Sequence, residues 1–313
     1  MKNSKKITIV IISLLLSAVF CFGSPCLAAG KTVGVIFSGD VSYFQDIHAA
    51  FLARLAREGH TGKVEVITQR PFPDPISLTN SVRKLIAMDV DLIVAYGSPA
   101  FLAAVSEKTR IPIVYAGVYE PFAQNKKAKN ITGISSKVSV SSLLRYLRTM
   151  TDIRSLGVCY SDREVDSVYQ MKELLGLSGQ YGISVEQFNI RRPQEARQVL
   201  SGKRPDALFI TSSSIVHMAL PEFIGFADAL KIPSVALAPD KSGSVVISLF
   251  ADPVEQGTKA ADKAMKVLEG FSPEKMSAET SRDVELVFDL RKAKLMGWKI
   301  PMELVASATK LIK

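Results

Sequence analysis

A chain of 313 residues with 47% apolar and 22% charged residues has the length of two ordinary domains and enough apolar content for a sizeable core, which excludes a disordered protein. The formal net charge of +9 is thinly spread, with small basic clusters only at Lys126-Lys127-Lys129 and Arg191-Arg192. No aromatic residues interleave with them, so the surplus describes a solvated surface and argues against a nucleic-acid partner.

The chain opens with Lys2, Lys5 and Lys6, an apolar run over 7–22 and small residues at Ala28 and Ala29, the three parts of a secretory signal peptide. Residues 1–29 are therefore expected to be removed on export, because the run is short for a membrane span. Cys21 follows Phe20 and Cys26 follows Pro25, whereas a lipid-attachment cysteine wants small residues before it. The expected product is a soluble periplasmic or otherwise extracytoplasmic protein without a lipid anchor. Only Cys159 then remains, which leaves no intrachain disulfide, and its setting Leu-Gly-Val-Cys-Tyr is that of a buried strand thiol.

Residues 31–37 read as a strand opening into Ser38-Gly39-Asp40, after which Ile47, Ala50, Phe51 and Leu55 mark one face of a helix. This loop lacks both a P-loop lysine and Gly-x-Gly-x-x-Gly spacing, so a nucleotide is not expected. A strand over 64–68 and a helix over 77–88 follow. The stretch 91–121 is the clearest unit. Leu92 to Ala95 is an apolar run without alternation, as a parallel strand covered on both faces requires. Tyr96-Gly97-Ser98-Pro99 ends it, with Ser98 expected as helix N-cap and Pro99 as the first helical residue, and 113–116 is the next strand. Such a crossover places Ser98 at the carboxyl edge of the sheet, where open α/β folds take their ligands. Residues 131–134 read as the first crossing between lobes and 139–150 as a helix.

From Ser155 the alternation restarts, with strands at 156–160, 184–190, 207–211 and 234–237 separated by helices. A strand at 245–250, a helix at 254–268, a strand at 284–290 and a helical region around Trp298 complete the chain. Two successive sets of alternating elements give an α/β fold of two doubly wound parallel-sheet lobes joined by crossovers.

Catalytic patterns are scarce. His48, His60 and His217 show no metal-ligand spacing, and surface or cap positions suit them better. Ser98 and Ser212-Ser213-Ser214 sit at strand ends without a Gly-x-Ser-x-Gly elbow, so helix capping is favoured over a nucleophile. The reading is of a protein that is not an enzyme, with no catalytic residues, no metal and no cofactor.

Several stretches together resemble one family: Val-Asp-Leu-Ile-Val-Ala and Pro-Asp-Ala-Leu, Ser98-Pro99-Ala100, Ile111-Pro112-Ile113-Val114, Val118-Tyr119-Glu120-Pro121, Asn130-Ile131-Thr132-Gly133-Ile134, Ile232-Pro233, and Val-Glu-Leu-Val-Phe-Asp-Leu followed by Gly297-Trp298. The mature chain is similar to exported substrate-binding proteins of ABC importers, in the branch of the periplasmic tryptophan and aromatic amino-acid binding proteins with the type I periplasmic-binding fold. The resemblance implies a monomer whose first lobe spans 30–132 plus 244–278 and whose second spans 133–243 plus 279–313. A small molecule, amino-acid-like or aromatic, would close between them and be delivered to a membrane permease. A sensory partner, a receptor kinase or chemoreceptor, is the alternative, and an exported serine hydrolase a more distant one.

Carried over position by position, the resemblance puts Ser38, Gly39, Asp40, Tyr43, Tyr96, Gly97, Ser98, Tyr119 and Glu120 on the first wall of the ligand site. Ser161, Ser167, Ser213, Ser214 and Asp240 fall on the second. The chain departs from relatives at Ser212-Ser213-Ser214, where they often carry Thr-Asp-Asn, and at Ala238-Pro239-Asp240-Lys241, so fewer carboxylates are offered to an α-amino group. Tyr43, Tyr96 and Tyr119 either stack on a flat ligand or merely line the lobe edge.

Overall fold

In a computed structural model the chain is described over residues 30–59, 64–122, 129–240 and 245–313; the expected signal peptide with Cys21 and Cys26, and His60 and Lys241, lie outside these. The first set of elements is β1 (Lys31–Phe37), α1 (Ser42–Arg57), β2 (Val64–Gln69), α2 (Pro75–Ala87), β3 (Leu92–Tyr96), α3 (Ser98–Ser106), β4 (Ile113–Val118) and β5 (Ile131–Ser135). The second is α4 (Val140–Met150), β6 (Ser155–Tyr160), α5 (Val165–Ser178), β7 (Ser184–Asn189), α6 (Ala196–Leu200), β8 (Ala207–Ile210), α7 (Ser214–Met218), α8 (Leu220–Leu230), β9 (Ser234–Ala236) and β10 (Ile247–Ala251). The chain ends with α9 (Pro253–Leu268), β11 (Glu279–Thr280), β12 (Val284–Asp289), α10 (Leu290–Leu295), α11 (Met302–Ser307) and β13 (Lys310–Ile312).

Two sheets result, ordered β11-β5-β4-β3-β1-β2 and β13-β12-β10-β9-β8-β6-β7. All strand pairs are parallel except β10 with β12. The uninterrupted apolar runs have the expected cause: β3 and β8 are buried along their whole length, under helices on both faces. In each sheet the chain reverses direction of travel beside its first strand, β1 between β2 and β3, and β6 between β7 and β8. Those reversals open crevices at the carboxyl ends of the strands.

The repeated Asp before a strand has a mechanical role. Asp91, ahead of β3, accepts the Thr32 amide at 2.8 Å, and Asp206, ahead of β8, accepts the amides of Arg154 and Ser155 at 2.9 and 2.8 Å. Each carboxylate therefore pins the start of the neighbouring strand, and its hydrogen bonds hold its own carboxyl below the usual range.

Three placements differ from the sequence reading. Residues 131–135 form a strand of the first sheet, paired with β4, so the first crossing follows them. Residues 247–251, grouped with the first lobe in that reading, pair with β9 and β12 in the second sheet, while α9 packs on α1 beside the first. The edge strands β11 and β13 are too short for periodicity to reveal.

At the junction Gln256 of α9, fully buried, takes the Gly117 amide at 2.7 Å with its carbonyl and gives its own N–H to the Ser135 carbonyl at 3.0 Å. Gly117 lies where the β4–β5 register shifts, which frees the amide that Gln256 satisfies.

Candidate functional site

A narrow cavity lies between the carboxyl ends of the two sheets. Tyr43, Gly97 and Ser98 border it from the first sheet's side, and Glu164, Ser167, Ser213 and His217 from the second.

The first wall is built on Gly97, which caps α3 with a φ of 83°. A Cβ there would fall 2.6 Å from the Phe44 ring and 2.7 Å from the Ser38 Oγ, so both the backbone conformation and the space require glycine. Ser98 is the first helical residue rather than the N-cap. The cap comes from Ser38 at the end of β1, whose Oγ accepts the Ala100 amide at 2.9 Å. Ser98 is thereby released, and its hydroxyl faces Asp166 of α5 across the cleft, where it helps to offset the burial of that carboxylate.

Asp166 binds the two sides together. Its carboxylate accepts the amides of Tyr119 and Glu120, just beyond β4, at 2.7 and 3.3 Å. A second bridge runs from the Tyr43 hydroxyl to the Ala251 carbonyl at 3.0 Å.

On the second wall Glu164, buried at the start of α5, accepts the Ser213 hydroxyl and the amides of Ser214 and Ile215, the latter two at 3.0 and 3.3 Å. Gln170 is tied to Ser212 in both directions, at 2.7 and 2.8 Å. A chain of hydrogen bonds runs from the Ser161 amide to Ser167 Oγ, on to Thr211 Oγ1 and to the Cys159 carbonyl. His217 borders the same cavity, and its Nε2 is shielded from solvent and has no partner.

Of the residues expected at the site, Tyr43, Gly97, Ser98, Tyr119, Ser167, Ser213 and Ser214 border the cavity. The others have different places. Ser38 sits behind the wall as a cap. Gly39 is outside the lining, and Asp40 is bound at the surface to Gln45 and Arg70, both at 2.8 Å. Tyr96 is fully buried among Phe37, His48 and Phe51. Glu120 pairs with Lys137 at 2.5 Å. Ser161 lies outside the lining, giving its amide to Ser167 and accepting the Arg163 amide with its Oγ, and Asp240 borders a separate surface pocket with Phe250 and Asp252. The Tyr119 ring packs into the second hydrophobic core, its hydroxyl against Val138 and Glu173, so neither it nor Tyr96 is available for stacking.

Sequence reasoning missed Glu164, Asp166, Gln170 and His217 as individual contributors. Ser161 and Ser167 were expected on the wall, but nothing in a local pattern says that two acids between them are buried. Among the described residues no cluster of three or more His, Cys, Asp or Glu could hold a metal ion.

A family model described as ABC transporter substrate binding protein matches residues 46–312. The chain belongs to that family. Members bind small solutes outside the cytoplasm and deliver them to an ABC permease. Among solved structures, the binding protein is similar to an ABC domain from Streptococcus pneumonia in complex with L-Trp, at 20% identity and a TM-score of 0.85, covering 91% of this chain and 100% of that one. It is also similar to a conserved domain protein from Vibrio cholerae, at 22% identity and a TM-score of 0.84, covering 90% and 99%. A third is the ligand-free, open structure of CD0873 from Clostridium difficile, at 22% identity and a TM-score of 0.65, again covering 90% and 99%. No curated protein sequence matches the chain significantly. No helix among the binding protein's described residues is long and apolar enough to cross a membrane.

In the binding protein, burial raises the Glu164 carboxyl to about 7 against the opposing pull of its hydrogen bonds. The folded protein thus keeps a proton that the unfolded chain releases near 4.5. This contribution to stability is complete below that pH and is lost as pH rises towards about 7. Relative to Glu164→Gln, the wild type is expected to lose roughly 3 kcal/mol of unfolding free energy between pH of about 4.5 and about 8, read from urea midpoints. A difference that stays constant with pH would contradict the assignment.

Proposed function

We propose that this protein is exported, works as a monomer outside the cytoplasm, and captures a small molecule by closing its two lobes around the cavity at Tyr43, Ser98, Ser213 and Ser214. The observation that carries this reading is a cavity walled by the carboxyl ends of both sheets, so that a solute inside it contacts both at once. Such a solute stabilises the closed arrangement by its differential affinity for the two forms, and the closed form is what the permease recognises.

An amino acid with a flat side chain is a candidate ligand, with the half-buried Tyr43 as the aromatic side chain placed to meet it at the cavity. The hydrolase alternative in its Ser-His form requires a serine hydrogen-bonded to an imidazole. Ser213 instead donates to Glu164 and accepts from Val216, and the nearby His217 Nε2 has no partner.

Native mass spectrometry of protein purified without refolding tests the reading. The expected result is a retained, non-covalent small molecule that leaves unchanged on denaturation. A protein that emerges empty, or that converts the molecule on re-addition, contradicts it.

A further inference from the structure

The donors and acceptors on the second wall are unequally used. The amides of Ser214 and Ile215, which would otherwise suit a ligand's carboxylate or phosphate, are taken by Glu164. The Val216 amide is taken by Ser213 at 3.1 Å, and the Ser212 amide by Gln170. No lysine or arginine is among the described residues that line the cavity.

Among the described residues that border the cavity, one solvent-shielded side-chain polar atom has no partner: Nε2 of His217. Burial holds the imidazole neutral, with its pKa lowered to about 4 in spite of the nearby Asp240 carboxylate. A neutral ring with its proton on Nδ1 presents Nε2 as a bare acceptor. A buried acceptor without a donor costs free energy that a suitable partner recovers.

We propose that His217 is a ligand-contacting residue that sets specificity, its Nε2 accepting a hydrogen bond from an N–H or O–H group of the solute. The end of the ligand that meets the second lobe is then an uncharged or cationic donor, such as a hydroxyl, amide or amine, and not a carboxylate or phosphate. This assignment rests on the solute-binding reading and adds the chemistry of one side of the ligand.

Thermal shift measurements on the full chain test it with named probes: myo-inositol and D-arabinose as hydroxyl donors, tryptamine and L-tryptophanamide as amine and amide donors, and succinate and inorganic phosphate as anions. The proposal expects saturable stabilisation by at least one donor probe and none by the anions. It also expects His217→Phe, which keeps the ring's volume and removes the acceptor, to weaken the stabilising probe at least about tenfold, with His217→Gln retaining part of the affinity. Stabilisation by the anions alone, by none of the donors, or to the same extent in wild type and His217→Phe overturns it. The solute-binding reading is judged separately, by whether natively purified protein retains any small molecule. Should His217→Phe fail to fold, imidazole ¹⁵N shifts of the wild type replace it: the His217 Nε2 resonance moves on adding the stabilising donor if the contact forms, and stays fixed if it does not.

Discussion

Asp166→Ala is expected to open the cleft. The substitution removes the acceptor for the Tyr119 and Glu120 amides, two donors contributed by the other side of the cavity. In the closed arrangement those donors would stay buried without partners, at a cost of about 1–3 kcal/mol for a lost acceptor, whereas in an open one water satisfies them. The carboxylate's own burial, which raises its pKa, offsets part of the gain it now supplies. A net shift of about 2 kcal/mol towards the open form weakens solute affinity by roughly thirtyfold, because binding must first restore closure. Hydrogen exchange gives a ligand-independent readout: the Tyr119 and Glu120 amides should lose protection in Asp166→Ala while amides within β3 and β8 keep theirs. Unchanged protection at both positions would show that Asp166 does not hold the two sides together.

Gly257→Ala is expected to be the most damaging change of a single methyl group. Gly257 lies where α9 crosses α1, and a Cβ there would sit 2.2 Å from the Ile47 carbonyl oxygen, 2.7 Å from the Ala50 Cβ and 2.8 Å from the Phe51 amide nitrogen. None of these atoms belongs to a side-chain end that swings aside, so the two helices must separate. Separation loosens a core that contains Ile47, Phe51, Ala260 and Ala264, all fully buried. The cost is about 3 kcal/mol, at the upper end for overpacking. Gly176→Ala supplies the control: that glycine is helical and exposed, with nothing within 4 Å of its added Cβ, and the exchange should stabilise by about 0.5–1 kcal/mol. Equal urea midpoints for Gly257→Ala and wild type would contradict the packing described.

The lobes were legible because their central strands are buried on both faces and so read as apolar runs, at 92–95 and 207–210 most clearly, each preceded by the Asp that pins its neighbour. Strand membership was less legible. Ile247 pairs with Val235 and Phe288, partners far apart in sequence that no local pattern names. The site divides along the same line. Gly97 and Ser98 are marked by the turn that ends β3, whereas Ser38 acts as a cap at a distance of 62 residues, which only the fold brings about. Tyr96 and Tyr119 lie at the expected edge in sequence, yet their rings are packed into two different cores. Glu164 and Asp166 look like solvated acids of a polar loop, and their burial follows from contacts with residues of other segments, Ser213 and Tyr119 among them. His217 owes its place to the turn of helix after Ser213, which carries it back to the cavity.

Capture by closure requires the two lobes to move together on a solute held between them. Small-angle scattering of the protein stripped of small molecules, and again after saturation with whatever the natively purified protein retains, measures this directly. A smaller radius of gyration in the saturated sample is the predicted result, and binding that leaves the scattering curve unchanged would contradict closure.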